Sequence, residues 1–209
     1  VQRYVAHAYA DSPGGSTSRP PEIPFPALHV DEKNQQDILG KLGLDKENPV
    51  VCMMPGAEYG PAKQWPIEYY AKLAQLLVTD GYQVWVLGSD KDKPAGDAIL
   101  EENESGVFNL CGKTQLVDTV DLLACAKSVV TNDSGLMHVA AAVGVEVNVI
   151  YGSSTPDYTP PLTTEERKNI FYLGLECSPC FKRVCPLGHT NCLNDISCND
   201  VFERIHKHG

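Results

Sequence analysis

From Pro49 onward, short apolar runs rich in β-branched residues alternate with longer stretches whose apolar residues recur at helical spacing, a rhythm that admits few architectures. Val50 to Met54, Gln83 to Leu87, Val107 to Leu110, Ser128 to Thr131 and Val147 to Tyr151 read as five strands. Their near-continuous apolar character suits strands buried on both faces. Between them, Ile67 to Thr79 places Tyr70, Leu73, Ala74 and Leu77 on one helical face and ends at Asp80-Gly81. Lys93 to Asn103 reads as a second helix. Leu116 to Cys125 reads as a third, with Thr114 as its expected N-cap, and Leu136 to Val143 as a fourth, closed by Gly144. The alternation predicts an α/β fold: a Rossmann-like parallel sheet with right-handed crossovers and helices on both faces. Ligands of such sheets sit outside the carboxyl ends of the strands. Upstream, Asp31 to Leu42 sets Ile38, Leu39 and Leu42 on one face and stops at Gly43. No repeat of fixed period is present.

The net charge of −10 and pI near 5.0 oppose polyphosphate backbones, which ranks a nucleic-acid binder low. Apolar runs such as Val147 to Tyr151 fall far short of the roughly 18 to 20 residues a membrane span needs. The opening Val-Gln-Arg-Tyr-Val has none of the parts of a signal peptide and reads as a chain entered partway through. Asp11 to Pro26, rich in Pro, Gly, Ser and Thr, reads as a linker or a surface loop. Eight cysteines without an export signal argue for a reducing, cytoplasmic compartment.

The most informative stretch is Val129-Val130-Thr131-Asn132-Asp133-Ser134-Gly135-Leu136-Met137-His138, a strand running straight into a helix. It places Asp133, Ser134 and Gly135 at a helix N-terminus, where free amides and the positive end of the helix dipole favour an anion such as a diphosphate. His138, one turn further, can reach the same place. The plainer alternative makes Asp133 or Ser134 a simple N-cap and His138 a packed helix residue. A second loop, Pro55-Gly56-Ala57-Glu58-Tyr59-Gly60-Pro61-Ala62-Lys63-Gln64-Trp65-Pro66, also ends at a helix start. Lys63 is its one cation and, as a flexible point charge, suits a terminal phosphate; on the plain reading it is an exposed surface lysine. Trp65 is expected to anchor the loop by packing. P-loop, G-x-G-x-x-G and G-x-S-x-G motifs are all absent from the sequence, which removes the main support for nucleotide hydrolysis, dinucleotide binding and serine-hydrolase chemistry.

Together, the Pro-Gly-Ala-Glu-Tyr-Gly-Pro-Ala-Lys-Gln-Trp-Pro loop, the Asn-Asp-Ser-Gly-Leu-Met-His-Val-Ala-Ala-Ala helix start and Tyr151-Gly152-Ser153-Ser154-Thr155-Pro156 resemble the ADP-heptose:lipopolysaccharide heptosyltransferases, glycosyltransferase family 9, nearest their heptosyltransferase II branch. The resemblance runs from about Arg3 to the C-terminus. It implies the C-terminal, donor-binding domain of a GT-B glycosyltransferase, with residues 1–30 as a remnant of the N-terminal acceptor domain and linker, and residues 31–209 as the nucleotide-sugar-binding domain. It implies that Lys63 contacts the donor phosphates, that Asp133, Ser134 and Gly135 form a diphosphate cradle completed by His138, and that Gly56 and Ala57 line the cleft. The implied reaction moves heptose from ADP-heptose to a lipopolysaccharide inner-core acceptor, without a cofactor, at the inner face of the membrane. The implied general base belongs to the acceptor domain, so no catalytic residue is named here and the chain alone is expected to be inactive. The reading from another class is a noncatalytic nucleotide- or anion-binding α/β module.

The tail changes character from Glu176. Cys177-Ser-Pro-Cys180, Cys185, Cys192 and Cys198 concentrate five of the eight cysteines, with His189 among them. Such spacing can surround a structural zinc, yet it lacks the second C-x-x-C of a zinc ribbon, and reduced thiols or disulfides fit it as well. A zinc-stabilised interaction protein is a third reading, resting on this tail alone. A final helix is expected over Asp200 to His208.

Overall fold

The computed structural model describes residues 24–207 apart from Glu104. The acceptor-domain remnant expected over residues 1–30 and the linker expected over Asp11 to Pro26 lie mostly outside the described residues, as does His208. The first helix, α1 (Glu32–Leu42), starts where the Asp31 carboxylate accepts from the Lys33 and Asn34 amides. It closes on Gly43, whose φ of 65° lies in the left-handed region that favours glycine.

Six parallel strands form one sheet in the order β3-β2-β1-β4-β5-β6. They are β1 (Val50–Met54), β2 (Gln83–Val86), β3 (Val107–Asn109), β4 (Ala126–Asn132), β5 (Glu146–Ile150) and β6 (Lys168–Phe171). The helices α2 (Ile67–Thr79), α3 (Lys93–Glu101), α4 (Leu116–Leu123) and α5 (Gly135–Val143) link successive strands up to β5, and α6 (Asn191–Asn194) and α7 (Cys198–Lys207) follow β6. Strand order reverses between β1 and β4. In an open α/β sheet, that reversal makes a crevice at the carboxyl ends of the two strands.

The two-residue period of the strands sorts side chains onto the two faces. Val51 and Met53 of β1 meet Tyr70, Leu73 and Leu77 of α2 and Val201 and Ile205 of α7. Val50, Cys52 and Met54 meet Ile38 and Leu39 of α1, Leu122 and Leu123 of α4, and Met137 of α5. Two apolar cores therefore sandwich the sheet, as the sequence pattern requires.

Several local expectations change. A sixth strand, β6, joins the edge beside β5; Lys-Asn-Ile-Phe holds only two apolar residues and is partly exposed, so its hydrophobic signal is weak. Helix α4 is capped by Gln115 and not by Thr114. The Gln115 amide donates to the Asp118 carboxylate at 2.9 Å, closing a capping box, while the Thr114 hydroxyl pairs with that of Thr119. Helix α3 stops at Glu101, and Asn103 turns back to donate its amide to the Ile99 carbonyl at 2.7 Å. The last helix begins at Cys198, two residues earlier than expected. Among the described residues, no helix is long and apolar enough to cross a membrane.

Candidate functional site

The loops after β1 and β4 meet at the strand-order reversal, and a buried amide holds them together. Asn132, the last residue of β4, donates its side-chain N–H to the Pro55 carbonyl at 2.7 Å and accepts from the Trp65 amide at 3.0 Å. It thus grips both ends of the Pro55 to Pro66 loop. Trp65 is fully buried, donates its indole N–H to the Ile196 carbonyl and packs edge-on against Tyr69 and Tyr70. The expected anchoring role of Trp65 is what the structure shows.

This clamp brings Lys63 to Asp133. The lysine Nζ lies 2.5 Å from Asp133 Oδ2, with side-chain exposures of 15% and 4%. The same carboxylate oxygen accepts from the Ser154 hydroxyl at 2.5 Å. Lys63 is therefore no exposed surface lysine. A carboxylate is acceptor-only, so the Asp133 side chain offers a phosphate no hydrogen bond; its work here is to hold the ammonium. An ammonium has three donors, and the others remain to face an anion.

Helix α5 begins one residue beyond Ser134. Ser134 occupies the N-cap position in an extended conformation, but its side chain makes no capping bond; its hydroxyl sits 3.4 Å from that of Thr131. The plain N-cap reading of Asp133 or Ser134 therefore does not hold, and among the described residues the first-turn amides of α5 have no side-chain partner. A side chain at Gly135 would meet nothing within 4 Å, so the approach to these amides is open. His138, one turn on, is open to solvent over much of its surface. Desolvation of its ring nevertheless holds the imidazole below its ordinary value, Asp133 pulling it up and Lys63 down.

A cleft of about 730 Å³ runs from this corner across the ends of β1 and β2. Gly56, Ala57, Ser134 and Gly135 line it, with Met54, Leu87, Leu116, Leu136 and Val139 as apolar walls. Lys63, Asp133 and His138 do not line it, but Gln64 and Ser134, the chain neighbours of the ion pair, do. The structure therefore brings the two predicted loops to one rim and sets the charged pair at the edge of the cleft.

Sequence reasoning did not single out the polar wall beyond β2. Asp92 accepts from the Ser89 amide and hydroxyl, both at 2.8 Å, and lines the cleft. A Cβ at Gly56 would stand 2.4 Å from Asp92 Oδ1, and one at Gly88 would stand 2.8 Å from Asp92 Cβ, so the glycines make room for this carboxylate. The polar run Gly88 to Asp92 at the end of β2 was the available signal, since Rossmann-like sheets bind sugar hydroxyls there. Ser154 and Asn132 were also missed. Both act on partners distant in the chain.

The profile of glycosyltransferase family 9 (heptosyltransferase) matches residues 1–191. Lipopolysaccharide heptosyltransferase 2 of Escherichia coli K12 is 44% identical over 211 residues, covering 98% of this chain and 60% of that protein. The Salmonella typhimurium protein of the same name is 40% identical, covering 99% of this chain and 60% of its own length. The solved structure of E. coli ADP-heptose lps heptosyltransferase II superposes with a TM-score of 0.84 at 37% identity, over 99% of this chain and 60% of that one. The chain thus spans about three fifths of the length of these relatives.

Proposed function

We propose, since this chain belongs to glycosyltransferase family 9, the heptosyltransferases, that it is the donor-holding part of an enzyme that moves heptose from ADP-heptose to the inner core of lipopolysaccharide. In this reading residues 31–209 form the nucleotide-sugar-binding domain of a GT-B enzyme. It works in the cytoplasm, against the inner face of the membrane that carries its lipid-linked acceptor. The names of the similar proteins, lipopolysaccharide heptosyltransferase 2 and ADP-heptose lps heptosyltransferase II, support both donor and acceptor.

One observation carries the reading for this chain: an ammonium and an uncapped helix N-terminus stand on the same rim, at the strand-order reversal, beside a cleft of nucleotide size. The cleft walls Leu116, Leu136 and Val139 suit the flat apolar faces of a base, and the polar wall with Asp92 suits ribose hydroxyls. The diphosphate then lies across the first turn of α5, with Gly135 leaving space, Lys63 donating from one side and His138 from the other. Asp133 and Ser154 position Lys63. As the bond from the anomeric carbon to the donor oxygen breaks, negative charge grows on the departing ADP, and these fixed donors stabilise it. Removal of the acceptor proton falls to a base outside the residues named here.

Isothermal titration with ADP tests the reading. ADP is expected to bind, and Lys63→Ala to weaken it about 10- to 100-fold, the equivalent of the roughly 1.5–3 kcal/mol of a hydrogen bond to a charged group. Absence of ADP binding, or an unchanged Kd in the variant, would overturn it.

A further inference from the structure

Beyond β6 the chain doubles back to the outside of the Lys63 loop, and its cysteines gather there. Cys177, Cys180, Cys185 and Cys192 all line one small cavity of about 20 Å³, together with Ser153, Ala62 and His189. That volume is close to one water-sized sphere, too small for any organic ligand. Cys198 is not a member: it packs at the start of α7 against the core.

One buried polar group borders this cavity without a partner. The Ser153 hydroxyl is buried, with residue exposure of 1%, and has no hydrogen-bond partner among the described residues. A buried orphan hydroxyl calls for an acceptor, and a thiolate sulfur supplies one where a neutral thiol supplies it poorly. The loop after Cys185 lines the same cavity. The Gly188 amide donates to the Cys185 carbonyl at 3.2 Å, a turn that carries His189 and Thr190 to the cavity wall. His189 lines the same cavity, but its Nδ1 already accepts from the Asn191 amide at 3.0 Å.

We propose that Cys177, Cys180, Cys185 and Cys192 bind one thiophilic divalent ion, zinc in the first instance, with Ser153 Oγ donating a hydrogen bond to a ligating sulfur. As neutral thiols the four stand apart, and no three His, Cys, Asp or Glu side chains among the described residues are gathered tightly enough to cage an ion. Binding draws them in: each thiol gives its proton to solvent, and the tetrahedral set forms with the ion. The neighbouring backbone explains what the ion does. The Phe181 amide donates to the Ser153 carbonyl at 2.7 Å, the Ala62 amide to the Arg183 carbonyl at 3.1 Å, and the Ser153 amide to the Ala62 carbonyl at 3.0 Å. Tail, β5 loop and Lys63 loop are thus tied at one place, and the ion fixes that knot.

Elemental analysis of the chain, purified with reductant and without chelator, is expected to find one zinc or one iron ion per molecule. Cobalt substituted at the site should give the sulfur-to-metal charge-transfer band and the intense visible bands of tetrahedral thiolate ligation. Cys180→Ser and Cys192→Ser should each lower retained metal at least tenfold, Cys125→Ser should leave it unchanged, and Ser153→Ala should weaken binding about 10- to 100-fold, as loss of an outer hydrogen bond does. The wild-type chain returning with no metal and no cobalt–thiolate band overturns the proposal, whether its four tail thiols alkylate freely or are paired as disulfides. These readouts do not depend on ADP binding.

Discussion

In β1 and β2 every residue is buried, whereas from Glu176 to Thr190 only Ser178 is, and Val184 and Leu187 are more than 60% exposed. The sheet is held by two apolar faces with many contributors, so no single contact decides its position. The tail is held by a few directed bonds, chiefly the Phe181 amide to the Ser153 carbonyl, the Ala62 amide to the Arg183 carbonyl and the Ser178 hydroxyl to the Gly152 carbonyl. Yet the tail bonds to the backbone just before Lys63, at Ala62, as directly as the sheet bonds to it just after, at Trp65. Order around Lys63 is therefore borrowed from two sources of very different redundancy.

Substitutions can break that contrast at successive depths. The largest loss is expected for Trp65→Ala, which empties a fully buried site in the sheet core and orphans the Ile196 carbonyl: about 3–5 kcal/mol in urea unfolding. A loss below about 1 kcal/mol would mean that the loop is not anchored through the core. Next comes Asp133→Ala, which strands the Lys63 ammonium at 15% exposure and should cost about 3 kcal/mol. Adding Lys63→Ala to it should restore most of that stability, and a double variant no better than the single one would show that the pair is not the cause.

Ser178→Ala probes the tail alone. Losing its 2.7 Å bond to Gly152 should cost about 1 kcal/mol. It should also speed tryptic cleavage after Lys182 and Arg183 while leaving the sheet's hydrogen exchange unchanged; equal acceleration in both would erase the distinction drawn here. The smallest effect concerns His138. Its imidazole is held below the ordinary 6.5, so below that pH the unfolded chain takes up the proton first and stability falls as pH drops; it is regained as pH rises through the window. His138→Gln should flatten that part of the stability–pH curve, which urea titrations between acid and neutral pH would reveal. Bound ADP should reverse the shift, so that binding near pH 6 takes up protons, measurable as a dependence of the heat on buffer.

The sheet was legible because burial on both faces writes short apolar, β-branched runs into β1, β2, β4 and β5, and because Gly43 and Gly144 end their helices in left-handed conformations. Strand β6 was not, because an edge strand in partial contact with solvent needs no such run. The same divide holds in the site. Lys63, Ser134 and Gly135 stand out locally as a cation and a helix start in small-residue loops. Their arrangement was hidden, because it depends on Asn132 reaching back 77 residues to Pro55 and on Ser154 reaching Asp133. For Asp133 the helix start alone suggests a phosphate cradle, while its carboxylate is found on Lys63, 70 residues away in the chain.

The crowding of Asp92 against Gly56 and Gly88 constrains how this cleft could ever be altered. A side chain at position 56 or 88 collides with a carboxylate pinned by Ser89, so either change is deleterious while Asp92 remains. Shortening residue 92 first opens room for both. The three positions should then vary as a linked set across descendants of this fold, and a laboratory attempt to reshape the cleft should start at residue 92.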